Sequence, residues 1–141
     1  MCADRRNSEG YSDPTAYQAL TLVEKEHRAL RAFRPIAYIC SPYAGAVEEN
    51  VKAAIRYCRF AVEEGYIPLA PHLLYPQILN DNNPKERELG LFFGNALMSK
   101  CAEIWVFGSR ISTGMEAEIK RARWKGYHLR FFTEDCKEVT S

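Results

Sequence analysis

From Ile36 onward, short apolar runs alternate with stretches whose apolar residues recur every three or four positions. That alternation is what β-α-β units around a mostly parallel sheet require, because each strand is covered on both faces by the helices that follow it. Ile36-Ala37-Tyr38-Ile39-Cys40 has no polar alternation and reads as a strand covered on both faces. After the loop Ser41 to Gly45, the residues Val47, Val51, Ala54, Ile55, Cys58, Ala61 and Val62 step by three and four, predicting a helix stopped by Gly65. The expected fold class is therefore α/β: a three-layer, Rossmann-like (flavodoxin-like) arrangement with four to five mostly parallel strands and an extra N-terminal helix.

The rest of the chain continues the series. Tyr66-Ile67-Pro68-Leu69-Ala70 predicts a second strand, at a sheet edge because of its proline, and Pro71 to Pro76 reads as a loop. Asn83-Pro84-Lys85-Glu86 supplies an N-cap, a proline in the first turn and a capping-box glutamate. The helix they open should bury Leu89, Phe92, Phe93, Ala96 and Leu97, while Gly90 and Gly94 allow close packing within the subunit or across a dimer. Glu103 to Gly108 predicts a third strand, 112–125 a helix ended by Gly126, and His128 to Phe132 a fourth strand.

This divides the chain into an N-terminal extension (1–35), an α/β domain (36–132) and a polar C-terminal tail (133–141). In the extension, Asp13-Pro14 opens a helix whose Ala16, Leu20, Val23, His27 and Leu30 form a stripe suited to docking on the domain or on a second subunit.

Composition narrows the function. With 19 basic and 18 acidic side chains the net charge is +1, so no broad field recruits nucleic acid or an anionic membrane. Nucleic acid is not the expected partner, and binding must come from a local site. No apolar stretch approaches the ~18 residues that span a bilayer, and the first residues lack the apolar core of a signal peptide; a cytoplasmic protein is expected. The cysteines, 5 in all, contain no C-x-x-C pair, so neither a disulfide framework nor a zinc site is implied, and Cys40, Cys58 and Cys101 read as small core residues.

Ligands of an open parallel sheet bind beyond the carboxyl ends of its strands. Three loops occupy that edge here: Ser41 to Gly45, Pro71 to Tyr75, and Ser109 to Gly114. Ser112-Thr113-Gly114 places hydroxyls and free backbone N–H groups at a helix N-terminus, which favours anions. Two carboxylates follow. Glu116 suits a capping box with Thr113 and an i,i+4 pair with Lys120. Glu118 lies about 60° from the buried Met115 direction and so borders the core; a bland role for it is pairing with Arg121.

These residues resemble the nucleoside 2-deoxyribosyltransferase superfamily, including the deoxynucleoside monophosphate N-glycosidases and a branch of small bacterial and phage proteins. The resemblance runs from about Ile36 to Phe132 and is carried by Tyr38-Ile39-Cys40-Ser41-Pro42-Tyr43, the Pro71-His72 step and Ser112-x-Gly114-x-x-x-Glu118. It implies that Glu118 is a nucleophile and that Ser112, with Gly114, contacts the sugar or its 5′-phosphate. By the same likeness Ser41, Tyr43 and Gly45 would hold the nucleobase or phosphate, and His72 would line the pocket. The implied partner is a small nucleoside or nucleotide, with no cofactor and no metal, in a homo-oligomer.

The departures are specific. Asn95 stands where the superfamily usually places an acid on the helix before the third strand, and Phe107-Gly108-Ser109 replaces another acid near that strand's end. Asn95 cannot donate an acidic proton. Either Asp81 or His72 replaces the acid, or the site binds nucleotides without hydrolysing them, as a sensor or interaction module. A phosphoribohydrolase reading lacks its P-G-G-x-G-T-x-x-E signature.

Overall fold

In the computed structural model, residues 14–30 and 33–140 are described. The chain separates into two compact units, the boundary falling between Phe33 and Arg34. The first unit holds helix α1 (Pro14–Leu30), on which Leu20, Leu22 and Val23 are exposed. The expected N-cap Asp13 lies outside the described residues, as does Cys2.

The second unit is the α/β domain. Its order is β1 (Ile36–Cys40), α2 (Val47–Glu63), β2 (Ile67–Leu69), a 3-10 turn (Pro71–Leu73), α3 (Tyr75–Ile78), α4 (Pro84–Met98), β3 (Glu103–Phe107), α5 (Thr113–Lys125), β4 (Leu129–Phe132) and β5 (Glu138–Val139). The five strands form one sheet in the order β2-β1-β3-β4-β5. All pairs are parallel except β4 with β5. The chain thus reverses its winding between β1 and β3, creating the crevice where such sheets take ligands. β2 is an edge strand, with Pro68 in register with Ala37.

Alternation along the strands builds two cores. Tyr38, Cys40, Ile104 and Val106 point to one face and pack with Met98 of α4 and with Met115, Ile119 and Ala122 of α5. Ala37, Ile39, Trp105, Phe107 and Phe132 point to the other face and pack against Tyr57 and Ala61 of α2. Tyr57 stacks on Phe107 at 4.2 Å between ring centroids, and Phe107 on Phe132 at 5.0 Å. At the amino end of β3, Glu103 accepts hydrogen bonds from Trp105, Tyr66 and Arg130, and Arg130 also bridges to Glu138. Glu103 is therefore spent on structure at the edge away from the crevice.

Several sequence expectations change. Helix α2 turns Tyr57, with Ala54 and Ala61, into the core and leaves Val47, Ile55 and Val62 exposed, because the aromatic cluster rewards a large flat ring. Pro71 to Pro76 is helical, not an open loop: each proline sits in the first turn of its short helix, where its missing N–H costs nothing. The expected tail carries β5, which pairs through Phe131 and Val139 after a turn with Cys136 at φ 61°.

Helix α4 begins where its cap predicts, the Asn83 side chain accepting from the N–H groups of Lys85 and Glu86. Glu86 does not close the capping box; it accepts from the Asn80 N–H. Of the expected buried stripe, Leu89, Phe92 and Ala96 are exposed and only Met98 is fully buried on this helix. Gly90 and Gly94 pack within the subunit: a Cβ on Gly90 would lie 3.4 Å from Leu79, and one on Gly94 3.6 Å from the Tyr38 hydroxyl.

Candidate functional site

Helix α5 positions the central carboxylate. Ser112 is its N-cap, the hydroxyl accepting from the Met115 N–H at 3.2 Å, and Gly126 ends it at φ 73°. The capping box expected between Thr113 and Glu116 is replaced by this cap one residue earlier, which leaves Thr113 inside the helix. With Met115, Ile119 and Ala122 buried, Glu118 is carried at the border of the core, as its angle predicts.

Glu118 faces β1. Its carboxyl lies beside the side chains of Tyr38 and Cys40, which alternate along the same face of that strand. No ion pair joins it to Arg121 among the described residues, so that bland role is not realised. Burial pushes the Glu118 carboxyl up to about 7, and the Tyr38 and Cys40 side chains offset only part of this. Burial, reinforced by the adjacent Glu118, likewise raises the Tyr38 hydroxyl and the Cys40 thiol. The helix N-terminus favours the ionised carboxylate, but desolvation outweighs the dipole, and near pH 7 the group is divided between its two forms.

The loop after β1 is the second component. Ser41 is buried, and its hydroxyl lies 2.8 Å from His72 Nε2. Burial lowers the His72 imidazole to about 4, so it is neutral at physiological pH. A neutral imidazole keeps one N–H, but that proton is not acidic, which removes His72 as the replacement acid near pH 7. Asn50 of α2 donates to the carbonyls of Tyr43 and Ala44, fixing the loop, and Gly45 turns it at φ 96°. Asp81 is exposed in the turn before α4.

The structure thus joins Glu118 to Tyr38 and Cys40, and Ser41 to His72. Gly94, the neighbour of Asn95, lies against Tyr38. Ser112 and Gly114 sit at the helix start, one to two turns before Glu118. A cavity of about 390 Å³ lies elsewhere, between Gly108, Ser109, Arg123, Phe131, Phe132, Thr133, Glu134 and Val139, and none of the expected site residues lines it.

Three contributors were not assigned from sequence. Tyr38 and Cys40 share the period-two face of β1 that meets α5, and that periodicity was the available signal. Glu134 is the third. Its Oε1 accepts from the N–H and hydroxyl of Ser109 at 3.0 and 3.1 Å, so an acid stands at the end of β3 although β3 itself supplies none. Those hydrogen bonds lower the Glu134 carboxyl. No local motif announces a carboxylate arriving from beyond β4.

Residues 35–132 match a family described as a domain of unknown function, DUF7768. The chain belongs to this family. No curated protein matches it. Among solved structures, this DUF7768 protein is similar to a 2-deoxyribosyltransferase from the psychrotolerant bacterium Bacillus psychrosaccharolyticus. The TM-score is 0.60 at 15% identity, covering 75% of this chain and 77% of that one. At that identity the likeness shows the fold: the DUF7768 sheet and its flanking helices share the transferase architecture.

Proposed function

We propose that the protein binds a nucleoside or nucleotide at the carboxyl ends of β1 and β3 and cleaves or transfers its N-glycosidic bond, with Glu118 as nucleophile. The observation that carries this reading is the Glu118 carboxyl itself, held at the core border beside Tyr38 and Cys40 with no paired cation among the described residues and shifted to about 7. Strongly shifted carboxylates in a crevice cluster at functional sites. A Glu118 oxygen attacks C1′ of the 2-deoxyribosyl group as the C1′–N bond breaks, and the bonding pair leaves on the base nitrogen, which takes a proton from water. Water or a second base then attacks C1′ and frees the glutamate.

In this scheme Ser41, Tyr43 and Gly45 hold the base or phosphate, His72 fixes Ser41, Asn95 borders the sugar, and Ser112 with Gly114 offers the helix start to a 5′-phosphate. Incubating native protein and Glu118→Ala with 2-deoxynucleosides and their 5′-monophosphates tests it. Free base from the native protein alone supports the enzyme.

A second reading is a sensor that binds the same ligands without turnover, favoured by Asn95 in place of an acid and by the neutral His72. Calorimetric binding with no base release by either protein selects it. Absence of both binding and release overturns both readings.

The proposed assembly is a homo-oligomer. Leu74 and Ile78 are exposed at and just before α3, and Leu89 and Phe92, about 60° apart around α4, are exposed there; exposed apolar side chains of this kind mark interaction sites where they form a patch. A second copy, presenting the same face about a two-fold axis, covers it.

A further inference from the structure

The outward face of α5 carries a cluster that the Glu118 chemistry does not use. Ala117, Lys120, Arg121 and Trp124 recur at helical spacing and line an open groove of about 280 Å³. Trp124 is 76% exposed, and the Lys125 ammonium lies 4.8 Å from its ring centroid. This face is turned about 180° from the buried side formed by Met115, Ile119 and Ala122, and about 110° from Glu118.

Two further observations set the cluster apart from a solvated helix face. The Arg121 Nε is buried without a hydrogen-bond partner. Residues 119–130 include no acid, and no ion pair is recorded for Lys120, Arg121, Arg123 or Lys125 among the described residues. Arg130, in contrast, is neutralised by Glu103 and Glu138. A chain of net charge +1 thus places three cations without an ion pair among the described residues, Lys120, Arg121 and Lys125, beside one exposed indole.

We propose that this face binds single-stranded nucleic acid, a base stacking on Trp124 and the backbone phosphates lying on Lys120, Arg121 and Lys125. Exposed aromatics flanked by cations are how proteins hold single strands without reading sequence. The groove is open to solvent and does not enclose a small ligand, so it suits a polymer lying across it. An acidic peptide supplies the charge but no planar face for the indole. An anionic membrane needs more apolar side chains to insert than Trp124 with Ala117 beside it. The negative end of the helix dipole opposes an anion here, yet two of its terminal carbonyls, those of Ala122 and Arg123, are already capped by the N–H groups of Tyr127 and Gly126, and three cations outweigh a half charge.

Tryptophan fluorescence of the full chain, titrated with an oligothymidylate about 12 residues long, tests this directly. Only Trp105 and Trp124 contribute, and Trp105 is buried. The expected result is quenching of the exposed tryptophan, with log K falling against log salt at a slope of about −2 to −3, as three or four phosphate contacts require. Followed by the fluorescence anisotropy of a fluorescein-labelled strand, which does not depend on the tryptophan, Trp124→Leu weakens binding about tenfold or more while Trp124→Phe largely preserves it, and Lys120→Gln reduces the slope by about 0.7. No binding at low salt, equal affinity for Trp124→Leu, or stronger binding to polyglutamate or to phosphatidylserine vesicles overturns the proposal.

Discussion

At the scale of single residues, Glu118 and His72 titrate in opposite senses. The Glu118 carboxyl rises from 4.5 to about 7, so its contribution to stability is complete below pH 4.5 and is lost as pH climbs through 7. His72 falls from 6.5 to about 4, so its contribution is complete above pH 6.5 and is lost as pH drops through 4. Between pH 4.5 and 6.5 the two slopes cancel. Glu118→Gln removes one of them. Measured by urea denaturation, the variant should gain on the native protein as pH rises, by about 3 kcal/mol between pH 4.5 and 8; a pH-independent difference shows that Glu118 is not buried as described. The position of Glu118 on its helix was legible from spacing, since a 100° step places it beside Met115 and Ile119. Its shifted ionisation was not, because the groups around it come from β1, some 80 residues earlier.

Elements were legible where their signals are local. Asn83-Pro84 marks the first turn of α4 because the cap bonds to N–H groups two and three residues on; Asn83→Ala should cost about 1 kcal/mol in thermal unfolding. Gly126 ends α5 for an equally local reason. The apolar stripe of α4 misled because periodicity shows that a face is apolar and not what covers it, and here Leu89 and Phe92 face outward. The helical Pro71 to Pro76 segment and β5 are too short to show a period. Gly94 is a sharper case. A Cβ there meets the Tyr38 hydroxyl at 3.6 Å, an ordinary contact, so Gly94→Ala should raise stability by up to ~1 kcal/mol. Gly94→Leu should displace Tyr38 and lower both stability and any ligand affinity; equal stability for the two variants contradicts the packing described.

For the molecule as a whole, the mostly parallel α/β sheet was legible from the alternation of apolar runs with helical stretches and the edge place of β2 from Pro68, whereas the strand order and the crevice between β1 and β3 appear only in the structure. Long-range arrivals did not, as Glu134 against Ser109 shows. Quaternary structure belongs to this scale. Sedimentation equilibrium should find the native chain dimeric or larger and Phe92→Asp, which places a charge at a side chain 65% exposed, monomeric and still folded; a monomeric native protein contradicts the interface. The central claim, that Glu118 forms a glycosyl ester, is tested most directly by following base release from 2-deoxynucleosides and their 5′-monophosphates as pH varies. The account predicts that kcat/KM rises about tenfold per unit below pH 7 and levels above it, and that Glu118→Ala loses activity by on the order of 10⁴-fold. Undiminished base release by Glu118→Ala would contradict it.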